Sequence, residues 1–126
     1  MDEERERLRH LNGGLLRLHK VLLTREQRTW EASHGRVTSH DLLQLLLNDE
    51  HFAWLRSLSR LMADIDTLID SDKPVGTEDA EVFFRQTYWL LKSGDSGAFH
   101  AKYIHALQES PDVVMAHAAV SKLLKK

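Results

Sequence analysis

Leucines recur three and four residues apart over the first part of the chain, and this spacing constrains the fold more than any other feature. The first row contains Leu8, Leu11, Leu15, Leu18 and Leu22. An average step of 3.5 residues places side chains on one face of an α-helix, and an apolar face needs a second helix to cover it. A second row contains Leu55, Leu58, Met62, Ile65 and Ile69. The two rows predict an all-α helical bundle in which Leu58, Ile65 and Leu68 are buried.

Helix-capping residues and helix breakers divide the chain into about six predicted helical segments. Gly35 ends the first segment, Thr38 and Asp41 cap the second, Thr77 caps the fourth, and Ser110 precedes the sixth. In order, the segments cover about residues 2–34, 42–47, 50–70, 77–93, 96–108 and 110–126. We expect one domain, residues 1–126, with the two long helices packed antiparallel at its centre.

Two adjacent glycines, Gly13 and Gly14, lie inside the predicted first helix. Each glycine weakens a helix by roughly 1 kcal/mol relative to alanine. The pair indicates either a kink or break, or a close crossing with another helix where a side chain would not fit. A capping-box pattern at residues 24–27 also allows a break near residue 24. We predict that the helix is continuous.

The composition argues against several classes of function. The chain of 126 residues carries a formal net charge of −2, whereas dedicated nucleic-acid binders usually have a basic excess. It has no cysteine, which removes disulfides, iron–sulfur clusters, thiolate zinc sites and a cysteine nucleophile. The acidic start and the short apolar stretches predict no secretory signal and no membrane span. We therefore expect a cytoplasmic protein that binds neither nucleic acid nor membrane.

The eight histidines raise the question of a metal site. Glu31 and His34 have the Glu-x-x-His spacing that puts a carboxylate and an imidazole on one helix face in di-iron bundles. Such sites need two copies of this motif, and the chain has one. His105 and Glu109 lie four residues apart and could also share a ligand. We predict no metal and no cofactor, and the alternative is a histidine- and carboxylate-lined metal bundle that acts as an oxidoreductase.

Motifs for catalysis are missing from the sequence. No serine lies in a Gly-x-Ser-x-Gly elbow, and Gly13-Gly14 lacks the rest of a phosphate-binding signature. The acidic stretch at residues 64–81 lacks the spacing of a calcium loop. These observations argue against an enzyme. A further alternative is a pocket for a small apolar ligand, lined by Phe83, Phe84, Trp89 and Tyr103.

Apolar residues beyond what one small bundle can bury predict an interface. Five of the six residues at 42–47 are leucines, which point to all sides of a helix. The first predicted helix adds a second apolar row, offset from its main leucine row, that contains Leu16, Leu23 and Trp30. Exposed apolar patches mark interfaces, and twofold pairing is the commonest closed arrangement. We predict a non-enzymatic interaction or regulatory module that forms a homodimer and could bind another protein. The predicted interface contains Leu16, Leu23, Trp30, Leu42, Leu43, Leu46 and Leu47.

Two short segments resemble those of small helical bacterial proteins. They cover residues 49–55 and 112–117. The resemblance implies a bacterial helical protein and assigns no functional role to any residue.

Overall fold

Helical segments account for most of residues 3–125, the part of the chain that the computed structural model describes. Six are α-helices, there is no strand in this part of the chain, and the predicted all-α bundle is confirmed. The elements are α1 (Glu3–His34), α2 (Ser39–Asn48), a 3-10 segment (Glu50–Leu55), α3 (Arg56–Ile69), α4 (Thr77–Lys92), α5 (Ala98–Glu109) and α6 (Pro111–Leu124). Met1, Asp2 and Lys126, which the predicted domain and end segments include, lie outside the described residues.

The first leucine row is the centre of the hydrophobic core. All five of its leucines are fully buried, as the 3.5-residue spacing predicts. Leu58 and Ile65 on α3 are also fully buried, which confirms their predicted positions. Leu68 is only partly buried, because it lies in the last turn of α3, beside an exposed loop.

Helix α1 runs through the middle of the bundle and packs against α3, α4, α6 and the 3-10 segment. Helices α1 and α3 lie antiparallel to each other. Asn12 near the start of α1 bonds to Asp66 at 2.8 Å, and His19 further along bonds to Ser59 at 2.8 Å. The predicted pair of long central helices is not confirmed, because α1 has 32 residues and α3 only 14.

The predicted helix at 50–70 begins as a 3-10 segment, which corrects the α-helical prediction for its first turns. The Asp49 carboxylate caps the segment by accepting from the backbone N–H of His51 at 2.9 Å. Phe52, Trp54 and Leu55 are all buried. Side chains three residues apart eclipse in a 3-10 helix, so Phe52 and Leu55 lie on one side of the segment and Trp54 lies on another.

Most predicted helix ends agree with the structure, whereas the starts of α2 and α5 and the capping residue of α4 differ. Helix α2 begins at Ser39, before the predicted residue 42. Gly35 follows α1 with a positive φ, Thr38 forms a capping box on α2, and Ser110 caps α6. Helix α4 is capped by Gly76 and not by Thr77, because the Asp79 carboxylate accepts from the Gly76 N–H at 2.9 Å. Helix α5 begins at Ala98, later than predicted, after a glycine with a φ of 61°.

Helix α1 continues through both glycines and through residue 24 without a break. A Cβ atom added to Gly14 would lie 3.1 Å from Cγ2 of Val120 on α6. A Cβ added to Gly13 would meet no neighbouring atom within 4 Å. The close-crossing interpretation therefore holds for Gly14, where α1 and α6 meet, and not for Gly13.

Arg5 of α1 closes the C-terminal end of α3 from outside that helix. Its guanidinium donates to the backbone carbonyls of Leu68 at 3.3 Å and of Ile69. It also donates to the carbonyls of Ser71 at 3.3 Å and Lys73 at 2.9 Å in the following loop. The last carbonyls of a helix lack partners within the helix and carry partial negative charge, so a cation there satisfies and stabilises them.

Replacing Arg5 with alanine should lower the free energy of unfolding by about 1.5 kcal/mol, because charged hydrogen bonds to several carbonyls are lost. Urea denaturation measures this change. The control is Arg9→Ala, which removes an exposed guanidinium paired with Glu6 and should change stability by less than about 0.5 kcal/mol. Equal effects of the two substitutions would contradict the capping role of Arg5.

None of the helices within residues 3–125 combines the length and the apolar character needed to cross a bilayer.

Candidate functional site

Helix α2 lies against the core yet keeps leucines exposed. Leu43 is 50% exposed and Leu47 is 57% exposed. The two residues are four apart, so their side chains are neighbours on one face of the helix. None of the ten residues of α2 is buried. The outward face of α2, defined by Leu43 and Leu47, is therefore an apolar surface open to solvent.

The opposite face of α2 attaches the helix to the fold. Leu42, Leu45 and Leu46 are partly buried against the core, and α2 packs mainly on the 3-10 segment. Arg56 donates to the carbonyl of Leu46 at 3.0 Å and to that of Asp49 at 2.9 Å. Because α2 is anchored at this end and capped at the other, its outward face is held in a fixed orientation.

The seven predicted interface residues divide into two groups. Leu16, Leu43 and Leu47 are at least half exposed. The others are partly buried and pack against the core; they are Leu23, Trp30, Leu42 and Leu46. Only the first group is free to contact a partner over most of its side chain.

Aromatic rings join the end of α1 to the 3-10 segment, next to α2. Trp30 and His34 stack with their ring centroids 3.7 Å apart and their planes 7° from parallel. Trp30 also lies 5.8 Å from the His51 ring and 5.9 Å from the Phe52 ring. The two tilted pairs, with His51 and Phe52, have the geometry that adds to the stability from area burial. The cluster therefore supports the element on which α2 rests.

A buried carboxylate, Glu26, lies beside this cluster and is 7% exposed. Its Oε2 lies 2.8 Å from Nε2 of His51, without the alignment of a hydrogen bond. Its Oε1 lies 3.2 Å from Arg25, which also contacts Glu109 of α5. The prediction of functional residues omitted Glu26. The sequence did carry a signal for a buried carboxylate at this position. Glu26 lies four residues after Leu22 and therefore on the same helix face as the leucine row.

The predicted metal candidates already have other roles. Glu31 accepts from the backbone N–H of Val37 at 3.0 Å, and Nδ1 of His34 lies 3.1 Å from the Trp30 carbonyl. His105 and Glu109 pair at 3.1 Å on α5. Across residues 3–125, no group of three or more histidines and carboxylates is placed to hold a metal ion.

One serine–histidine pair occurs between α1 and α3, and its geometry is structural. Nε2 of His19 lies 2.8 Å from Oγ of Ser59. The Ser59 hydroxyl also donates to the Leu55 carbonyl at 3.3 Å. A hydroxyl has a single proton, so with that proton on Leu55 the imidazole donates to Oγ and does not act as a base toward it. The pair joins two helices.

The aromatic residues predicted to line an apolar pocket do not surround one cavity. Trp89 borders a groove between α3 and α4, whereas Phe84 borders a different groove beside Leu124. Phe83 is partly buried against the core. Tyr103 is fully buried, and its hydroxyl lies 2.7 Å from Nδ1 of His117. The structure therefore gives this set no common ligand site.

Stability should fall as the pH falls below about 6.5, because burial lowers the pKa of His19 and of His117. The charge of Lys92 also lowers the pKa of His117. Burial raises the pKa of Tyr103, so the Tyr103 hydroxyl stays protonated and donates to the neutral imidazole of His117. Below the unfolded pKa, the unfolded chain binds protons that the folded chain excludes. The two histidines therefore contribute to the free energy of unfolding above the unfolded pKa. This contribution is lost as the pH falls from the unfolded pKa toward the lower folded pKa values.

His19→Gln retains a group that can donate to Ser59 and cannot gain a proton. At each pH, the free energy of unfolding of this variant is compared with that of the unaltered protein. The difference should favour the variant more at pH 5.5 than at pH 7.5, and urea denaturation at both pH values measures it. His10→Gln, at an exposed position of the same helix, controls for the loss of a surface histidine. An unchanged pH dependence in His19→Gln would show that His19 is not kept neutral by burial.

Comparisons of this chain with protein-family models, with curated proteins and with solved structures find no match. The exposed face of α2 and the contacts that hold it are therefore the features of this fold that best indicate a function.

Proposed function

We propose that this protein is a non-enzymatic helical interaction module that pairs with a second copy of itself through the outward face of α2. The observation that carries the proposal is a leucine-rich helix with no buried residue. Short helices on globular proteins normally bury one apolar row and present polar residues to water. Helix α2 instead presents Leu43 and Leu47 to water on the side away from the core.

A second copy is the occupant that this surface suits best. In an isologous contact the same patch meets itself around a twofold axis. With two α2 helices antiparallel, Leu43 of one protomer meets Leu47 of the partner, and the reverse contact forms at the same time. Only Asp41 and His40 carry ionisable side chains on α2, so the pairing brings few like charges together.

The exposed leucines predict weak association. Full burial of a leucine contributes about 1.5–3 kcal/mol, so four half-exposed leucines in a dimer contribute roughly 3–6 kcal/mol. A Kd of 1 mM corresponds to about −4 kcal/mol and a Kd of 1 μM to about −8 kcal/mol. Because ordering two molecules opposes association, we expect a Kd nearer to 1 mM than to 1 μM. Leu16, a further residue of the predicted interface, lines a separate groove with Met62 and Ile69 and is not counted in this contact.

The test is a double variant, Leu43→Glu with Leu47→Glu. Both positions are at least half exposed, so the variant should fold, and four carboxylates in the contact should abolish self-association measured by light scattering. The matched control is Val114→Glu with Met115→Glu, which alters two exposed apolar residues on α6 and should leave self-association unchanged. Association that persists in the α2 variant, or that both variants lose equally, would contradict the proposed surface.

A further inference from the structure

A cavity of about 670 Å³ lies between the second half of α1 and the junction of α5 with α6, away from the outward face of α2. Lys20, Thr24 and Arg28 line it from α1. Glu109 and Asp112 line it from the junction. The volume is within the range of small-ligand sites. A ligand that binds in this cavity should carry a charge opposite to that of the lining side chains that form no ion pair within the protein.

The cations of the α1 wall include two without a partner. Lys20, Thr24 and Arg28 lie at four-residue intervals, so they form one row along the helix. Lys20 and Arg28 are exposed, and the side chain of neither forms a hydrogen bond or an ion pair with another residue in the range 3–125. Thr24 places a hydroxyl between them.

The carboxylates of the opposite wall are largely compensated. Glu109 pairs with Arg25 and lies 3.1 Å from Nε2 of His105. Asp112 lies in the first turn of α6, where the positive end of the helix dipole favours a carboxylate. The charges that remain open to a ligand are therefore mainly the two cations.

We propose that this cavity binds a small phosphorylated organic molecule with two anionic groups, one held by Lys20 and the other by Arg28. The two residues are eight apart, which separates their Cα atoms by about 12 Å along the helix axis. Two phosphate groups on a small organic body can span this separation, so that each cation pairs with its own phosphate. Guanidinium and ammonium groups bind phosphate strongly, and the Thr24 hydroxyl can donate to the body between them.

The experiment is calorimetric titration of the full chain with a hexose bisphosphate, a hexose monophosphate and orthophosphate at one ionic strength. The bisphosphate should bind saturably and at least about tenfold more tightly than either single phosphate. Lys20→Gln and Arg28→Gln should each weaken it by about tenfold or more. Absence of saturable binding, or equal affinity for all three probes, would overturn the proposal.

Two further variants exclude a general charge effect. Arg17→Gln removes an exposed cation of the same helix that does not line the cavity, and it should leave the affinity unchanged. Asp112→Asn should tighten binding, because it removes a carboxylate from the wall. Weaker binding in Asp112→Asn would mean that the ligand site needs a negative charge, and a loss in Arg17→Gln equal to that in Arg28→Gln would mean a diffuse surface effect. Either result would overturn the proposal, and neither depends on self-association through α2.

Discussion

Leu15→Ala should lower the free energy of unfolding by about 2–5 kcal/mol, the range for removing a fully buried leucine from a packed core. Leu15 is 0% exposed and belongs to the central row of α1. The α1 backbone cannot move to fill the resulting cavity, because other helices pack on several sides of it. The loss should therefore lie toward the upper part of that range.

The adjacent residue provides a matched control for Leu15. Leu16 is 59% exposed, so Leu16→Ala makes the same chemical change one position along the same helix and should alter stability by less than about 0.5 kcal/mol. Guanidinium denaturation of the two variants at low protein concentration measures the difference. Similar losses for both variants would show that the core does not lie on the face of α1 described here.

Gly14→Val should lower the free energy of unfolding by about 1–3 kcal/mol, the usual range for overpacking. Valine gains helix propensity over glycine, but its Cβ would lie 3.1 Å from Cγ2 and 4.0 Å from Cα of Val120. A β-branched side chain has one strongly preferred rotamer in a helix and cannot turn away from the crossing. The helices α1 and α6 must therefore separate at this point.

Gly13→Val is the matched control at the adjacent residue, which lies outside the crossing. A Cβ at Gly13 meets nothing within 4 Å, so this variant should be as stable as the unaltered protein or up to about 0.5 kcal/mol more stable. Thermal and urea unfolding of both variants measure the contrast. If Gly13→Val were the more damaging of the two, the assignment of Gly14 to the close crossing would be wrong.

Local patterns predict the helices and their buried faces well. The spacing of Leu8 to Leu22 needs no knowledge of the partner helix, because helix geometry alone places these side chains together. The cap at Thr38 and the start at Ser110 are also local, since each satisfies backbone groups within three residues. The 3-10 start at Glu50 was not predicted, because periods of 3.0 and 3.6 differ too little over six residues to be separated.

Contacts between distant parts of the chain could not be predicted from local sequence patterns. Arg5 caps a helix that ends more than sixty residues later, and Glu26 faces His51 of a different element. The two glycines look alike in sequence, and only the position of Val120 distinguishes them. In each case the deciding partner is fixed by tertiary packing.

The exposed leucines of α2 were predicted in part. Leucines on all sides of residues 42–47 indicated surplus apolar surface, and α2 indeed buries no residue fully. The sequence could not separate Leu43 and Leu47 from Leu42 and Leu46, because that division depends on which side of α2 rests on the 3-10 segment.

Sedimentation equilibrium of the unaltered protein, from micromolar concentration to about 1 mM, tests self-association most directly. The weight-average mass should rise with concentration from the monomer mass of 14.5 kDa toward twice that value, and the rise should be absent in the Leu43→Glu, Leu47→Glu variant. A monomer mass for the unaltered protein at every concentration would contradict the proposed pairing through α2.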